Sequence, residues 1–329
     1  MPPVKQSKMN PMNAFLKSSL CAGVLCAAAL ASAAPLQRAD IPSDPVWVLH
    51  LDCDGLRPTA VGQYLLEQMD QPEAKAKLAA FQTIFNIDLR KQVHGLTLYG
   101  TGKAPQDGVL LVYADVEPDR LITLAKAARD SQSSTYKQHT IYNWVDDKRK
   151  GAKGALPRVY AAVQGNHMIV FGQQETRVAQ ALDVLDRAAP NLAGSTAFAE
   201  LGAAGNTSFL QAAARKMDVP DAAPNAALLR LATSARLEIG ETNGELCATL
   251  GLQAQDEAVA NQMASVGQGL LALIRLQKDN PGSVRLAESL SLKQDGVGVV
   301  ASLAMPNADV IELMKAGAAR KAQQKASSE

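Results

Sequence analysis

Residues 107–129 read DGVLLVYADVEPDRLITLAKAAR, and residues 295–320 read DGVGVVASLAMPNADVIELMKAGAAR. Each begins with Asp-Gly, runs through an apolar strand and ends in a segment with helical spacing, Leu121, Ile122, Leu124 and Ala125 in one, Val310, Ile311, Leu313 and Met314 in the other. A turn dipeptide flanked by alternating residues marks a hairpin, and a change of period from 2 to 3.6 marks the passage to a helix. The likeness of the two stretches points to duplication of a hairpin-helix unit.

Two further units have the same form. Gly165-Asn166 separates RVYAAV from HMIVFG, ahead of Val178, Ala181, Leu182 and Leu185. Asn243-Gly244 separates ARLEIG from ELCATLGL, ahead of Val259, Met263, Val266, Leu270 and Ile274. A strand and a helical stretch precede each pair of units: VWVLHLDC with PTAVGQYLLEQM and AKLAAFQTIF, then SFLQAAA with NAALLRLA. The fold class expected is α+β, in two related halves. Each half is a mainly antiparallel sheet of β-β-α units with helices on one face. The boundaries expected are 34–189 for the first half, 190–204 for a connector rich in Ala, Gly, Asn, Ser and Thr, 205–322 for the second half, and 323–329 for a polar, disordered tail.

Residues 1–33 have the composition of an export signal. Lys5, Lys8 and Lys17 form a basic start, residues 18–30 are an apolar stretch too short to span a bilayer, and Ala31-Ser32-Ala33 supplies small residues for cleavage. Neither Cys21 nor Cys26 follows the small residue that lipid modification requires, so no lipid anchor is expected. The expected location is periplasmic or secreted. Processing removes three lysines and no carboxylate from 33 basic and 32 acidic residues, leaving a net charge near minus two. That balance argues against nucleic acid as a partner. No later apolar run reaches membrane-spanning length, so no integral membrane segment is expected after cleavage. Of the four cysteines, Cys53 and Cys247 remain; they fall on strand faces of opposite character and are expected to stay apart as inert thiols.

The densest set of chemistry-bearing residues is Val48-Leu49-His50-Leu51-Asp52-Cys53-Asp54-Gly55. Period two places His50, Asp52 and Asp54 on one face, where an imidazole and two carboxylates are a candidate ligand set for a divalent metal. The bland reading is that they are solvated on the open face of an edge strand. His94, His139 and His167 are scattered, with no ligand partner at metal-site spacing. No Gly-x-Ser-x-Gly, Walker, His-Glu-x-x-His or Cys-x-x-Cys motif occurs. The basic run Lys148–Lys153 reads as a solvated loop, or as a dock for an anionic glycan, lipid headgroup or acidic protein. Val259, Met263, Leu270 and Ile274 give one helix an apolar face, suited to a plain core or to a lipid pocket.

Two resemblances bear on these residues. The apolar strand followed by Asp-x-Asp-Gly resembles the first motif of haloacid-dehalogenase-type phosphohydrolases, which implies Asp52 as nucleophile and Asp54 as general acid. The chain departs from that family in lacking a Gly-Asp-x-x-x-Asp motif and in its hairpins, which do not suit a parallel sheet. The runs WVLHLDCDGLRPTAVGQYLLEQM, AAFQTIFNIDLRKQVHGLTLYG and GVLLVYADVEPDRLITLAKA are similar to a group of uncharacterised exported bacterial proteins. That similarity implies an exported α+β protein of no assigned activity. The reading adopted is a noncatalytic envelope protein without a cofactor, binding a protein partner, peptide or apolar ligand through a sheet face or the groove between its halves. The alternative is a metal-assisted, phosphoester-type hydrolase centred on His50, Asp52 and Asp54.

Overall fold

The computed structural model describes residues 35–102, 104–147, 156–203, 207–215, 230–276 and 281–326. The expected export signal, the basic run Lys148–Lys153 and most of the helical stretch expected from Asn225 lie outside these residues. Residues Ala33–Glu329 form one compact unit.

The strands are β1 (Trp47–Asp52), β2 (Val93–Gly100), β3 (Gly108–Ala114), β4 (Gln132–Tyr136), β5 (His139–Val145), β6 (Arg158–Gln164), β7 (Met168–Gly172), β8 (Ser208–Arg215), β9 (Ala232–Thr242), β10 (Glu245–Ala254), β11 (Leu290–Asp295) and β12 (Gly298–Pro306). The helices are α1 (Cys53–Leu56), α2 (Ala60–Met69), α3 (Pro72–Phe85), α4 (Pro118–Ala127), α5 (Glu175–Leu185), α6 (Glu257–Arg275), α7 (Pro281–Glu288) and α8 (Asn307–Ala326). The protein is therefore α+β, and the twelve strands of the described residues form one antiparallel sheet in the order β11-β12-β10-β9-β8-β1-β2-β3-β7-β6-β5-β4. The two half-sheets join edge to edge through β1 and β8, in register from Trp47↔Ala214 to Leu51↔Leu210.

Local chemistry accounts for the elements. Asn243 and Gly244 both have positive φ, 53° and 80°, as the tight β9–β10 turn requires. Thr59 caps α2, its hydroxyl accepting from Gly62 N at 2.9 Å, and Asp256 caps α6 by accepting from Val259 N at 2.8 Å. Pro72 and Pro118 open α3 and α4, where a missing N–H costs nothing. A fifth hairpin, β4–β5, turns at Lys137-Gln138 with Lys137 at φ 53°. It carries no Gly or Asn signal, so the dipeptide rule passes over it.

From the β1–β8 junction outward, β1-β2-β3-β7-β6 and β8-β9-β10-β12-β11 follow the same order. By position, β3–α4 corresponds to β10–α6. The sequence likeness instead pairs residues 107–129 with residues 295–320, which is β3–α4 with β12–α8. That likeness repeats a local pattern at positions that are not equivalent in the sheet.

Each unit sets its helix on one face, but α4 and α5 take opposite faces. Leu96, Val112, Ile169 and Phe171 share one face and pack with Phe81 and Phe85 of α3 and Leu121 of α4. Val48, Tyr99, Val109, Leu111 and Val170 share the other and pack with Val178 and Leu182 of α5. In the second half, Ala260 and Met263 of α6 pack on Leu252 and Val299. In register this is the α4 face.

The stretch expected as a connector is part of the core. Leu192 and Leu201 are fully buried and close over β1 and β8 with Leu36 and Ile41. Arg38 fastens this strap by donating to the carbonyls of Leu192 (2.9 Å), Leu201 (3.0 Å), Ser195 (3.1 Å), Ala197 (3.2 Å) and Phe198. At the other end α8 continues to Ala326, so residues 323–326 are helical where a disordered tail was expected.

A fully buried leucine truncated to alanine costs about 2–5 kcal/mol. Leu182→Ala, at 0% exposure, is expected to lower unfolding free energy by about 3 kcal/mol in urea titration. Leu273→Ala, at 62% exposure, is expected to change it by less than about 0.5 kcal/mol.

Candidate functional site

Because β1 is hydrogen-bonded on both sides, it is a central strand and not an edge. The face bearing His50 and Asp52 lies under the strap; His50 is 1% exposed and Asp52 8%. The open-face reading is therefore corrected. Covering the sheet here obliges each polar group to find an internal partner, since an unmet buried group costs about 1–3 kcal/mol.

The partners lie in register. His50 stands between Thr97 of β2 and Gln211 of β8, both buried. His50 Nδ1 lies 2.9 Å from Thr97 Oγ1, and Gln211 Oε1 accepts from Gly202 N of the strap at 2.9 Å. Tyr113, also hydrogen-bonded to Thr97, donates to Asp40 Oδ2 at 3.1 Å, and Asp40 Oδ1 accepts from Arg187 at 3.0 Å. Burial, reinforced by the Asp40 carboxylate, pushes the Tyr113 phenol far above the usual tyrosine range. It therefore stays a neutral donor. The Gly202–Gln211 bond ties strap to sheet, and His50 presents almost no surface to solvent.

Asp52 and Asp54 diverge, because strand geometry ends at Asp52 and α1 begins at Cys53. Asp52 caps α1 by accepting from Gly55 N at 2.8 Å. Asp54, the second residue of α1, pairs with Arg57 and lies 3.0 Å from His94 Nδ1, whose Nε2 is 3.3 Å from Asp115. Period two thus held for His50 and Asp52 and failed for Asp54. Among the described residues, no group of three or more His, Cys, Asp or Glu side chains is disposed to hold a metal ion. The geometry does not assemble the centre that His50, Asp52 and Asp54 suggested, nor the nucleophile and acid pair of Asp52 and Asp54.

His139 pairs with Asp186 at 2.7 Å, and His167 stands at the β6–β7 turn. Cys53 and Cys247 are both free. Burial pushes the Cys53 thiol above its ordinary value, which keeps it protonated and unreactive near neutrality.

The most site-like feature was not read from the sequence. An apolar cavity of about 270 Å³ lies between α4 and the sheet, bounded by Leu121, Ile122, Leu124 and Ala125 on the helix and by Trp144, Val163, Ile169 and Phe171 on the strands. Its lining carries no charged side chain. The signal was present in the four apolar positions of α4, yet no residue of that helix is buried. A helix presenting four apolar side chains to a sheet without burying one has room beneath it. By contrast, Met263 of α6 is fully buried and belongs to a plain core.

The class defined by this geometry is an α+β protein with one long antiparallel sheet and an apolar cavity under a short helix. No protein-family model and no curated protein matches the chain. Among solved structures, crystal form III of TP0453 is similar with a TM-score of 0.47 at 10% identity, covering 86% of this chain and 98% of that one. Crystal forms IV and I of TP0453 match with a TM-score of 0.45 at 10% identity, over 86% of this chain and 96% and 98% of theirs. Among the described residues no helix is long and apolar enough to cross a membrane.

Thr97→Val removes the hydroxyl that faces both His50 and Tyr113. It is expected to cost about 1–3 kcal/mol in urea unfolding, while Thr97→Ser retains most of the stability. Equal stability of the two variants would mean that this hydroxyl braces nothing.

Proposed function

We propose that this is a noncatalytic exported binding protein that holds an uncharged apolar ligand between α4 and the sheet. The observation that carries the reading is the cavity of about 270 Å³ lined without a charged side chain. Ligand pockets are mostly apolar and run from about 300 Å³ upward, so this one suits a small occupant. Its walls offer contact area but no counter-charge, and burying an unpaired charge there would be costly. The location outside the cytoplasm rests on Lys5, Lys8 and Lys17, the apolar residues 18–30 and Ala31-Ser32-Ala33.

The neutral fluorophore N-phenyl-1-naphthylamine tests the reading on residues 34–329. Saturable one-to-one enhancement is expected with the wild-type chain. Ala125→Trp, which fills the cavity from the helix side, is expected to weaken binding about tenfold or more, the loss of roughly 1.4 kcal/mol, with the far-ultraviolet spectrum unchanged. Non-saturating fluorescence, or an unaltered affinity in Ala125→Trp, would sink the proposal.

A further inference from the structure

A second cleft lies on the face of the sheet opposite α4. Its floor is a row that crosses four strands in register: Ala213 of β8, Arg236 of β9, Gly251 of β10 and Val300 of β12. Its wall is residues 196–201 of the strap, and it holds about 620 Å³. That volume is within the range of small-molecule sites, ~300–1,000 Å³. The room comes from the floor, where Ala213 and Gly251 contribute almost no side chain. A Cβ added at Gly251 would meet no atom within 4 Å, which puts open space directly above the middle of the row.

The charges are unequal in their partners. Arg236 pairs with Glu200 and with Glu238. Arg215 sits two residues beyond Ala213 on the same face, opposite Ser234. Its Nη2 donates to the Pro45 carbonyl at 2.6 Å, and its guanidinium lies 5.2 Å from the centroid of the Phe198 ring. Among the described residues it forms no ion pair. A carbonyl and an aromatic face thus hold the guanidinium in place and spend one of its five N–H donors, while no carboxylate of the described residues neutralises its charge. A planar guanidinium oriented in this way matches a carboxylate, which it can bind through two parallel hydrogen bonds. Phe198 and Val300 supply apolar surface beside it.

We infer that this cleft is a binding site for a small monoanion with an apolar body, its carboxylate on Arg215 and its body over Gly251 and Val300. The site is independent of the cavity under α4, which lies on the other face and carries no charge. One unpaired guanidinium accounts for one negative charge, and the paired state of Arg236 gives no second.

Calorimetry on residues 34–329 with 4-phenylbutyrate and the neutral 4-phenylbutan-1-ol tests the assignment. The acid is expected to bind one-to-one and about tenfold more tightly than the alcohol, as a charge-assisted pair would give. Arg215→Gln is expected to bring the acid down to the affinity of the alcohol. Gly251→Phe, whose side chain enters open space, is expected to abolish acid binding with the melting temperature unchanged. Absence of saturable acid binding, equal affinity of acid and alcohol in the wild type, or an acid preference that survives Arg215→Gln would overturn it. If Arg215→Gln does not fold, Gly251→Phe decides: undiminished acid affinity, or acid binding lost only in Ala125→Trp, overturns the assignment.

Discussion

The antiparallel pairing of β1 with β8 is the contact on which the rest of this structure depends. Without it, each half would end in an exposed strand edge with a row of unmet N–H and C=O groups, a known liability for pairing with other chains. With it, twelve strands form one sheet, and β1 becomes a strand at the centre. The strap between α5 and β8 then has a surface to cover, formed by Val48, His50, Gln211 and Ala213.

Covering that surface has a polar consequence. His50, Thr97, Gln211 and Asp40 leave water together, with Tyr113 half-buried beside them, and each buried group must be satisfied within the protein. Arg38 does the same service for the strap itself, donating to five of its carbonyls. Such clusters add little net stability beyond a well-packed apolar core, but they are costly when broken and so favour one arrangement of strap on sheet. The residues that look most like chemistry in the sequence are thus largely spent on architecture. The features suited to ligands are places where side chains are missing: the gap under α4, and the floor of Ala213 and Gly251 on the opposite face.

Much of the fold is legible in the sequence, for identifiable reasons. Gly165, Asn243-Gly244 and Gly296 take positive φ at three hairpin turns, so a local rule finds them. The passage from strand to helix after each of four hairpins follows from the change of hydrophobic period. The β4–β5 hairpin escaped because Lys137 adopts positive φ with no residue type that announces it. Long-range facts escaped more completely. Nothing local in Val48–Asp52 distinguishes an edge strand from a central one, since the difference is the presence of β8 more than 150 residues later. Asp54 was misplaced because alternation was carried two residues past Asp52, across the start of α1. The small-residue composition of 190–204 suggested a linker, whereas Leu192 and Leu201 within it are fully buried and anchor it to the core. The cavity was invisible for a related reason: periodicity identifies the apolar face of α4 but not how closely the sheet approaches it.

Hydrogen exchange of the backbone amides in β1 and β8, resolved to single residues on residues 34–329, tests the joined sheet most directly. If the β1–β8 ladder holds the halves together, the paired amides of Trp47–Leu51 and Leu210–Ala214 exchange only through global unfolding, with the same opening free energy as the β2–β3 ladder. Exchange across β1–β8 at a markedly lower free energy than within either half would contradict the account, since it would mean two separately cooperative units that merely abut.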